Sequence, residues 1–363
     1  MSERPRELAP DLQACFERKA RQTDTVCAGR EVSMQQDARI LVTGITGFVG
    51  GHLRSHLASA GYEVVGATRD PERARRQLTD TELVRVDLLD AASVRRALEG
   101  CSAAFYLVHG MADYQDYAQV EARQAETFRM AARDAGVERI VYLGGPRPRG
   151  EPSLHLRSRL NTGEILRRGP VPTLELQASM IIGAGSESFR MVRDLAARLP
   201  LMVLPRWLET RTEPIAIRDV ANALAYALSL PLPASQVLAL PGPEVMSGRQ
   251  ILERTAQCMG LSPSMLGVPF LTPKLSSFWI QWVTRADSRV ASQLVQGLTH
   301  DLVAPDQGLW ELFPEYRRLS FDEAVRRALS EEQGPISLKA QLGESIAHRI
   351  GGLQARARHR AHP

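Results

Sequence analysis

Cysteine is scarce: Cys15, Cys27, Cys101 and Cys258 are the four in 363 residues. They form no Cys-x-x-Cys pair and have no histidine at ligand spacing, so neither a disulfide framework nor a metal site is expected, and a reducing cytoplasm is the expected localisation. Aromatic residues make up 6% of the chain, and its most apolar stretches are strand-length or broken by charge. None approaches the roughly 18 residues that cross a bilayer, which excludes a transmembrane segment. A strong excess of one charge is also missing. Lys and Arg total 45 against 41 Asp and Glu, and the net charge of +4 is accounted for by residues 336–363, where Lys339, Arg349, Arg356, Arg358 and Arg360 face Glu344. The balanced body gives little reason to expect a nucleic-acid partner. The basic tail mixes apolar and charged residues between Ile336 and Arg360, a pattern open to weak contact with an anionic membrane surface or to a solvated, frayed helix. Residues 1–37 lack an apolar core segment and mix Glu3, Glu7, Asp11 and Glu17 with basic residues, so they read as a flexible extension rather than a targeting peptide.

What is present is an ordinary folded protein, 44% hydrophobic and 24% charged, long enough for about two domains or one elaborated one. From Ala38 onward, short β-branched runs alternate with helical segments. Arg39 to Thr43, Glu63 to Thr68, Leu83 to Val86, Ala103 to Val108, Ile140 to Leu143 and Thr173 to Ile182 read as strands. Between them, Gly47 to Ala60 and Tyr117 to Ala135 carry apolar residues at helical spacing. Parallel neighbours need helical crossovers, so the expected class is α/β, with a doubly wound parallel sheet and a smaller, mostly helical substrate lobe. The sheet domain is expected over 38–183 and 214–240, and the second lobe over 184–213 and 241–335. In that lobe Phe278, Trp279, Ile280 and Trp282 read as core, with substrate lining as the sharper alternative.

Gly44, Gly47 and Gly50 stand at GxxGxxG spacing directly after the first strand and into the first helix. In that setting the first glycine permits the tight turn, the second lets a pyrophosphate approach the backbone, and the third lets the helix pack closely on the strand. The free amides of the helix start favour a diphosphate, so Gly44, Thr46, Gly47, Phe48, Val49 and Gly50 are the candidate dinucleotide cradle of a Rossmann-type fold. A site that takes only NAD usually presents an acidic residue at the end of the second strand. Here Arg69 arrives first, followed by Asp70 and Arg73, so NADP is the expected cofactor and Asp70 keeps NAD open. Asp87 at the end of the third strand is placed to accept from an adenine amine, and Leu88 and Val108 complete the expected cofactor-contacting set.

Together with Tyr106-Leu107-Val108-His109-Gly110-Met111, Arg139-Ile140-Val141-Tyr142-Leu143-Gly144-Gly145 and Pro214-Ile215-Ala216-Ile217-Arg218-Asp219-Val220, these residues resemble the extended and atypical short-chain dehydrogenase/reductase superfamily. Within it they are most similar to the NmrA-like and complex-I-subunit-like NAD(P)-binding branch, over roughly residues 38 to 330. That resemblance implies a Ser or Thr after the fifth strand and a Tyr-x-x-x-Lys on the next helix. This chain has neither: Gly144 and Gly145 replace the hydroxyl, and His155 and Arg159 occupy the Tyr and Lys positions. At i,i+4 they share a helical face, keeping a proton donor and a cation, although the same pair also fits a solvent-facing helix. His109, at the carboxyl end of the fourth strand, is the third catalytic candidate, with a structural hydrogen bond as its alternative. The resemblance implies an atypical NADP(H)-dependent oxidoreductase moving hydride to or from a small carbonyl or alcohol. A nonenzymatic dinucleotide-binding redox sensor or assembly protein is the main alternative, and a sugar-nucleotide epimerase the third.

Overall fold

The computed structural model describes residues 38–109, 117–148, 150–198, 201–262, 264–268 and 300–332. The N-terminal extension, the aromatic segment 278–282 and the basic tail lie outside them. Along the chain, β1 (Arg39–Thr43), α1 (Phe48–Ser59), β2 (Glu63–Thr68), α2 (Pro71–Arg75), β3 (Glu82–Arg85), α3 (Ala91–Leu98) and β4 (Ala103–Tyr106) are followed by α4 (Tyr117–Asp134), β5 (Arg139–Gly144), α5 (Leu154–Arg167) and β6 (Thr173–Gln177). Next come β7 (Ile181–Ile182), α6 (Glu187–Arg198), β8 (Leu201–Pro205), β9 (Arg211–Thr212), β10 (Ile215–Ala216), α7 (Ile217–Tyr226) and β11 (Gln236–Ala239). The C-terminal part holds β12 (Met246–Ser247), α8 (Gly248–Cys258), β13 (Ser264–Val268), a 3-10 turn over Gly308–Leu312 and α9 (Phe321–Glu332).

Seven strands form one parallel sheet in the order β11-β6-β5-β4-β1-β2-β3. The strand sequences explain its burial on both sides. Ile40 and Val42 of β1 and Phe105 of β4 join Leu53 and Leu57 of α1 and Val220 and Leu224 of α7 in one core. The alternate residues Leu41, Ala104 and Tyr106 point the other way, into a core with Val94 of α3 and Ala125 and Phe128 of α4. This period-two division over two apolar faces is what a doubly wound sheet requires. The order reverses at β1, whose neighbours are β2 on one side and β4 on the other. The crevice at that switch point is where ligands of open α/β sheets bind.

The expected strand from Thr173 to Ile182 is instead two strands. β6 ends at Gln177, Ser179 donates its hydroxyl to the Glu213 carbonyl at 2.6 Å, and Ile181–Ile182 then pair with Ile215–Ala216 in a separate two-stranded sheet. The side-chain tether redirects the chain within an otherwise continuous apolar run. The Pro-rich stretch after α6 also contains a strand that periodicity did not disclose: β8 pairs in parallel with β13. A third core, with Ile182, Phe189, Met246, Ile251, Phe321 and Val325, unites these later elements.

Two buried charged groups tie α7 to its surroundings. Arg139 donates to the carbonyls of Ala227, Leu228 and Leu230 at 2.8–2.9 Å, satisfying the end of the helix as a cation there should. Asp219, fully buried, accepts from Arg218, from the Tyr316 hydroxyl at 2.8 Å and from the Leu319 amide at 2.9 Å, binding the C-terminal segment to the helix.

Candidate active site

The cradle forms at the carboxyl end of β1. Gly44 has φ +67°, and a Cβ there would lie 3.0 Å from the Leu107 carbonyl oxygen, so both conformation and space call for glycine. The Gly47 amide donates to the Gly44 carbonyl at 2.9 Å, and a Cβ at Gly50 would collide with that same carbonyl. The turn and α1 can therefore close together only without side chains at these positions. No side chain caps α1 and its first turn holds no acidic residue. Thr46 and Gly47 are exposed, with Phe48 and Val49 half-buried beside them. The uncapped amides and positive dipole end thus face the switch-point crevice, which suits a pyrophosphate.

Thr43 fastens one wall of this crevice. Its buried hydroxyl donates to the Phe105 carbonyl at 3.0 Å and accepts from the Leu107 amide at 2.9 Å, locking the ends of β1 and β4 together just before the half-buried Val108 and His109. On the other side, Arg69 follows β2, exposed and without an ion pair to any described residue. Asp70 is differently committed: its carboxylate accepts from the Arg73 amide at 3.0 Å as the cap of α2. Of the two, Arg69 makes no ion pair with a described residue, and one oxygen of the Asp70 carboxylate is spent locally. Asp87, also exposed, accepts from the Leu89 amide at 2.9 Å, and Leu88 is buried.

The three catalytic candidates lie together, beside a fourth group. His109 Nδ1 is 2.9 Å from Glu121 Oε1, and His109 Nε2 lies 3.2 and 3.3 Å from the two ring nitrogens of His155. The imidazole centroids are 4.5 Å apart with planes inclined at 58°. Glu121 is buried, and its Oε2 accepts a short hydrogen bond from the Ser158 hydroxyl. Burial lowers the His109 pKa, opposed by its hydrogen bond to Glu121. Burial, then His109 and Arg159, hold His155 down at about 3, so it is a neutral imidazole at pH 7. Nearby, the buried hydroxyl of Tyr117 has no hydrogen-bond partner.

Arg159 lies one turn beyond His155 as its spacing predicts, and it is engaged with the sheet: its guanidinium donates to the Leu143 carbonyl at 2.9 Å while its own carbonyl accepts from the Tyr142 hydroxyl at 2.9 Å. Glu121 and Ser158 are the site residues that sequence reasoning missed. Glu121 had a visible signal, because it occupies the stripe of α4 that continues through Ala125, Phe128 and Ala132 and is the one carboxylate buried there. Among the described residues, no cluster of three or more His, Cys, Asp and Glu side chains is arranged to hold a metal ion.

Residues 40–158 match the NAD dependent epimerase/dehydratase family. A (4-alkanoyl-5-oxo-2,5-dihydrofuran-3-yl)methyl phosphate reductase of Streptomyces griseus is 30% identical over 226 residues, 60% of this chain and 72% of that protein. The chain belongs to the NAD-dependent epimerase/dehydratase family. It is an atypical member of the extended short-chain dehydrogenase/reductase superfamily, with no Tyr-x-x-x-Lys on α5. Cinnamoyl-CoA reductase 1 of Oryza sativa is 34% identical over 111 residues, and there the chain spans only a third of the relative's length. Among solved structures, the Citrobacter sp. triphenylmethane reductase complexed with NADP(H) superposes with a TM-score of 0.64 at 17% identity, covering 80% of this chain and 99% of that one. That likeness is one of fold.

Proposed function

We propose that the protein is an NADP(H)-dependent oxidoreductase that reduces a small organic carbonyl or oxidises the matching alcohol. The observation that carries this reading is the convergence of a phosphate cradle and a half-buried imidazole pair on one sheet edge. Leu107, whose carbonyl bounds the turn at Gly44, is two residues from His109. When bound, the nicotinamide supplies or accepts the hydride. Gly44, Thr46, Gly47, Phe48, Val49 and Gly50 hold the diphosphate by backbone amides and close approach. The exposed guanidinium of Arg69 takes the 2′-phosphate, its planar fork donating to two of the phosphate oxygens. Asp87 and Leu88 border the adenine, Val108 lines the pocket floor, and Arg159 offers its remaining donors to the ribose. His155 exchanges a proton with the substrate oxygen.

The reductase name of the Streptomyces relative and the NADP(H) held by the Citrobacter enzyme support the same assignment. Titration calorimetry with NADPH and NADH, followed by single-turnover absorbance at the nicotinamide band with a panel of small aldehydes and ketones, tests it. Tight NADPH binding and oxidation of the cofactor by a carbonyl are expected. A dinucleotide-binding sensor is the second reading, favoured by Gly144 standing where the family's hydroxyl belongs. NADPH binding with no hydride transfer across the panel selects it. Epimerisation of sugar nucleotides is the third reading, weakened by the missing Tyr and by the lack of a recognisable nucleotide-sugar motif in the sequence of the second lobe.

A further inference from the structure

We propose that His109 is the proton reservoir of a two-histidine relay, fixed in its Nδ1–H tautomer by Glu121 and Ser158, and that His155 passes the proton between His109 Nε2 and the substrate oxygen. The proposal rests on the oxidoreductase reading above and supplies the proton path which that reading leaves open.

The geometry is directional. Both oxygens of the Glu121 carboxylate already face donors, Oε2 the Ser158 hydroxyl and Oε1 the Nδ1 of His109. An acceptor on both sides is the ionised carboxylate, and it places the hydrogen of neutral His109 on Nδ1. Nε2 is then a bare acceptor facing the ring of His155. Among the described residues, His155 has no carboxylate in hydrogen-bond contact. It borders His109 and Arg159, both of which oppose a second proton, and Glu121 acts on it only from beyond His109. Among the described residues, the groups facing His109 are Glu121 of α4 and His155 and Arg159 of α5. The phenols of Tyr106, Tyr142 and Tyr117 also surround Glu121, and burial keeps each of them protonated. Within this set, only His109 has an anion against it. Burial holds its pKa below that of a free imidazole, but the contacting anion makes it the ring that takes the charge first, whereas His155 conducts and does not store.

The step balances with a nicotinamide dinucleotide as reductant. Hydride adds to the carbonyl carbon, the C=O π bond breaks, and the oxygen takes the proton from one ring nitrogen of His155. The other ring nitrogen of His155 takes the Nε2 proton of the His109 imidazolium, leaving His109 neutral with its hydrogen on Nδ1. After the alcohol leaves, water protonates the bared nitrogen of His155 and the transfer runs back to recharge His109, with no ring flip. Alcohol oxidation uses the same path reversed. This arrangement resembles the logic of a carboxylate–histidine pair in which the anion orients the imidazole and stabilises its charged form without itself taking the proton.

Ring-nitrogen NMR of the full chain carrying 15N-histidine tests the relay without cofactor. The expected spectrum shows neutral His109 as the Nδ1–H tautomer and, on acidification, protonates His109 before His155. In Glu121→Gln the His109 titration should move down by about one unit or more, the effect of losing a contacting opposite charge. Single-turnover hydride transfer should also fall, roughly a hundredfold, the scale of a positioned acid–base group, with partial recovery in Glu121→Asp. An Nε2–H tautomer in the wild type, or His155 titrating above His109, overturns the relay and needs no variant to fold. If that happens while NADPH binds and is oxidised, the relay alone is wrong. If the tautomer is as expected but NADPH does not bind, the oxidoreductase reading fails, and with it the relay as a step of hydride transfer.

Discussion

A Cβ on Gly144 would stand 2.5 Å from Oε1 of Glu175, so the buried carboxylate of β6 occupies the space that a side chain at position 144 would need. Glu175 is held there by an ion pair with Arg167 and by the Gln177 amide, which donates to Oε1 at 2.9 Å; Gly163 on α5 yields room for its other oxygen. The absent hydroxyl is therefore part of a packed arrangement, and restoring it has a cost. Gly144→Ser should destabilise the protein by about 1–3 kcal/mol, the range for overpacking a filled interior, and should not raise the rate of hydride transfer. Denaturant unfolding and single-turnover kinetics check both halves; a stable, faster variant contradicts the packing account.

The parallel sheet was legible because its signals are local. Period-two burial at Ile40, Leu41 and Val42, helical spacing at Leu53 and Leu57, and glycines at one strand end all fall within residues 40–57. The i,i+4 spacing likewise put His155 and Arg159 on one helical face. What the sequence could not disclose is tertiary. His109 and His155 appeared as separate candidates because 46 positions part them, and contact arises only when β4 and the start of α5 meet at one edge. Glu121 was visible as a carboxylate on an apolar stripe, but a stripe does not name its partner. The break after Gln177 was hidden for the same reason, since Ser179 is tethered to a carbonyl 34 residues away.

Arg69 offers the cleanest test of cofactor choice, because it makes no ion pair with a described residue that its removal would disturb. Arg69→Ala should weaken NADPH binding by roughly 10- to 100-fold, the loss expected for charge-assisted hydrogen bonds to a phosphate. NADH affinity should change by less than about twofold, since NADH has no 2′-phosphate for the fork to grip. Calorimetry with both dinucleotides measures the difference. Equal losses for the two would reassign Arg69 away from the 2′-phosphate.

Asp219 predicts a purely structural effect. Its carboxylate gathers Arg218, Tyr316 and the Leu319 amide in a fully buried position, so Asp219→Ala strands three donors at once. A destabilisation of about 3–5 kcal/mol is expected, as for breaking one side of a buried pair. Tyr316→Phe removes a single donor, which also accepts from Asn222 at 2.7 Å, and should cost about 1 kcal/mol. A smaller effect from the aspartate than from the tyrosine would contradict the hub.

The histidine site also leaves a signature in stability against pH. His155 is held at about 3 in the folded protein, against 6.5 for an unperturbed imidazole, and burial lowers His109 and His56 as well. Between those values the unfolded chain binds a proton that the folded His155 refuses. Linkage then requires the contribution to be fully present above about pH 6.5 and to be lost as pH falls from there toward 3. The melting temperature should accordingly drop between pH 7 and pH 5. His155→Gln removes one such group, so its drop over that interval should be shallower than that of the wild type. The raised carboxyls of Asp219 and Glu213 act in the opposite sense, but they are common to both proteins and leave the difference between them unchanged. Parallel melting curves for the two proteins across the interval would mean that His155 takes up its proton as readily folded as unfolded, contrary to its burial against His109 and Arg159.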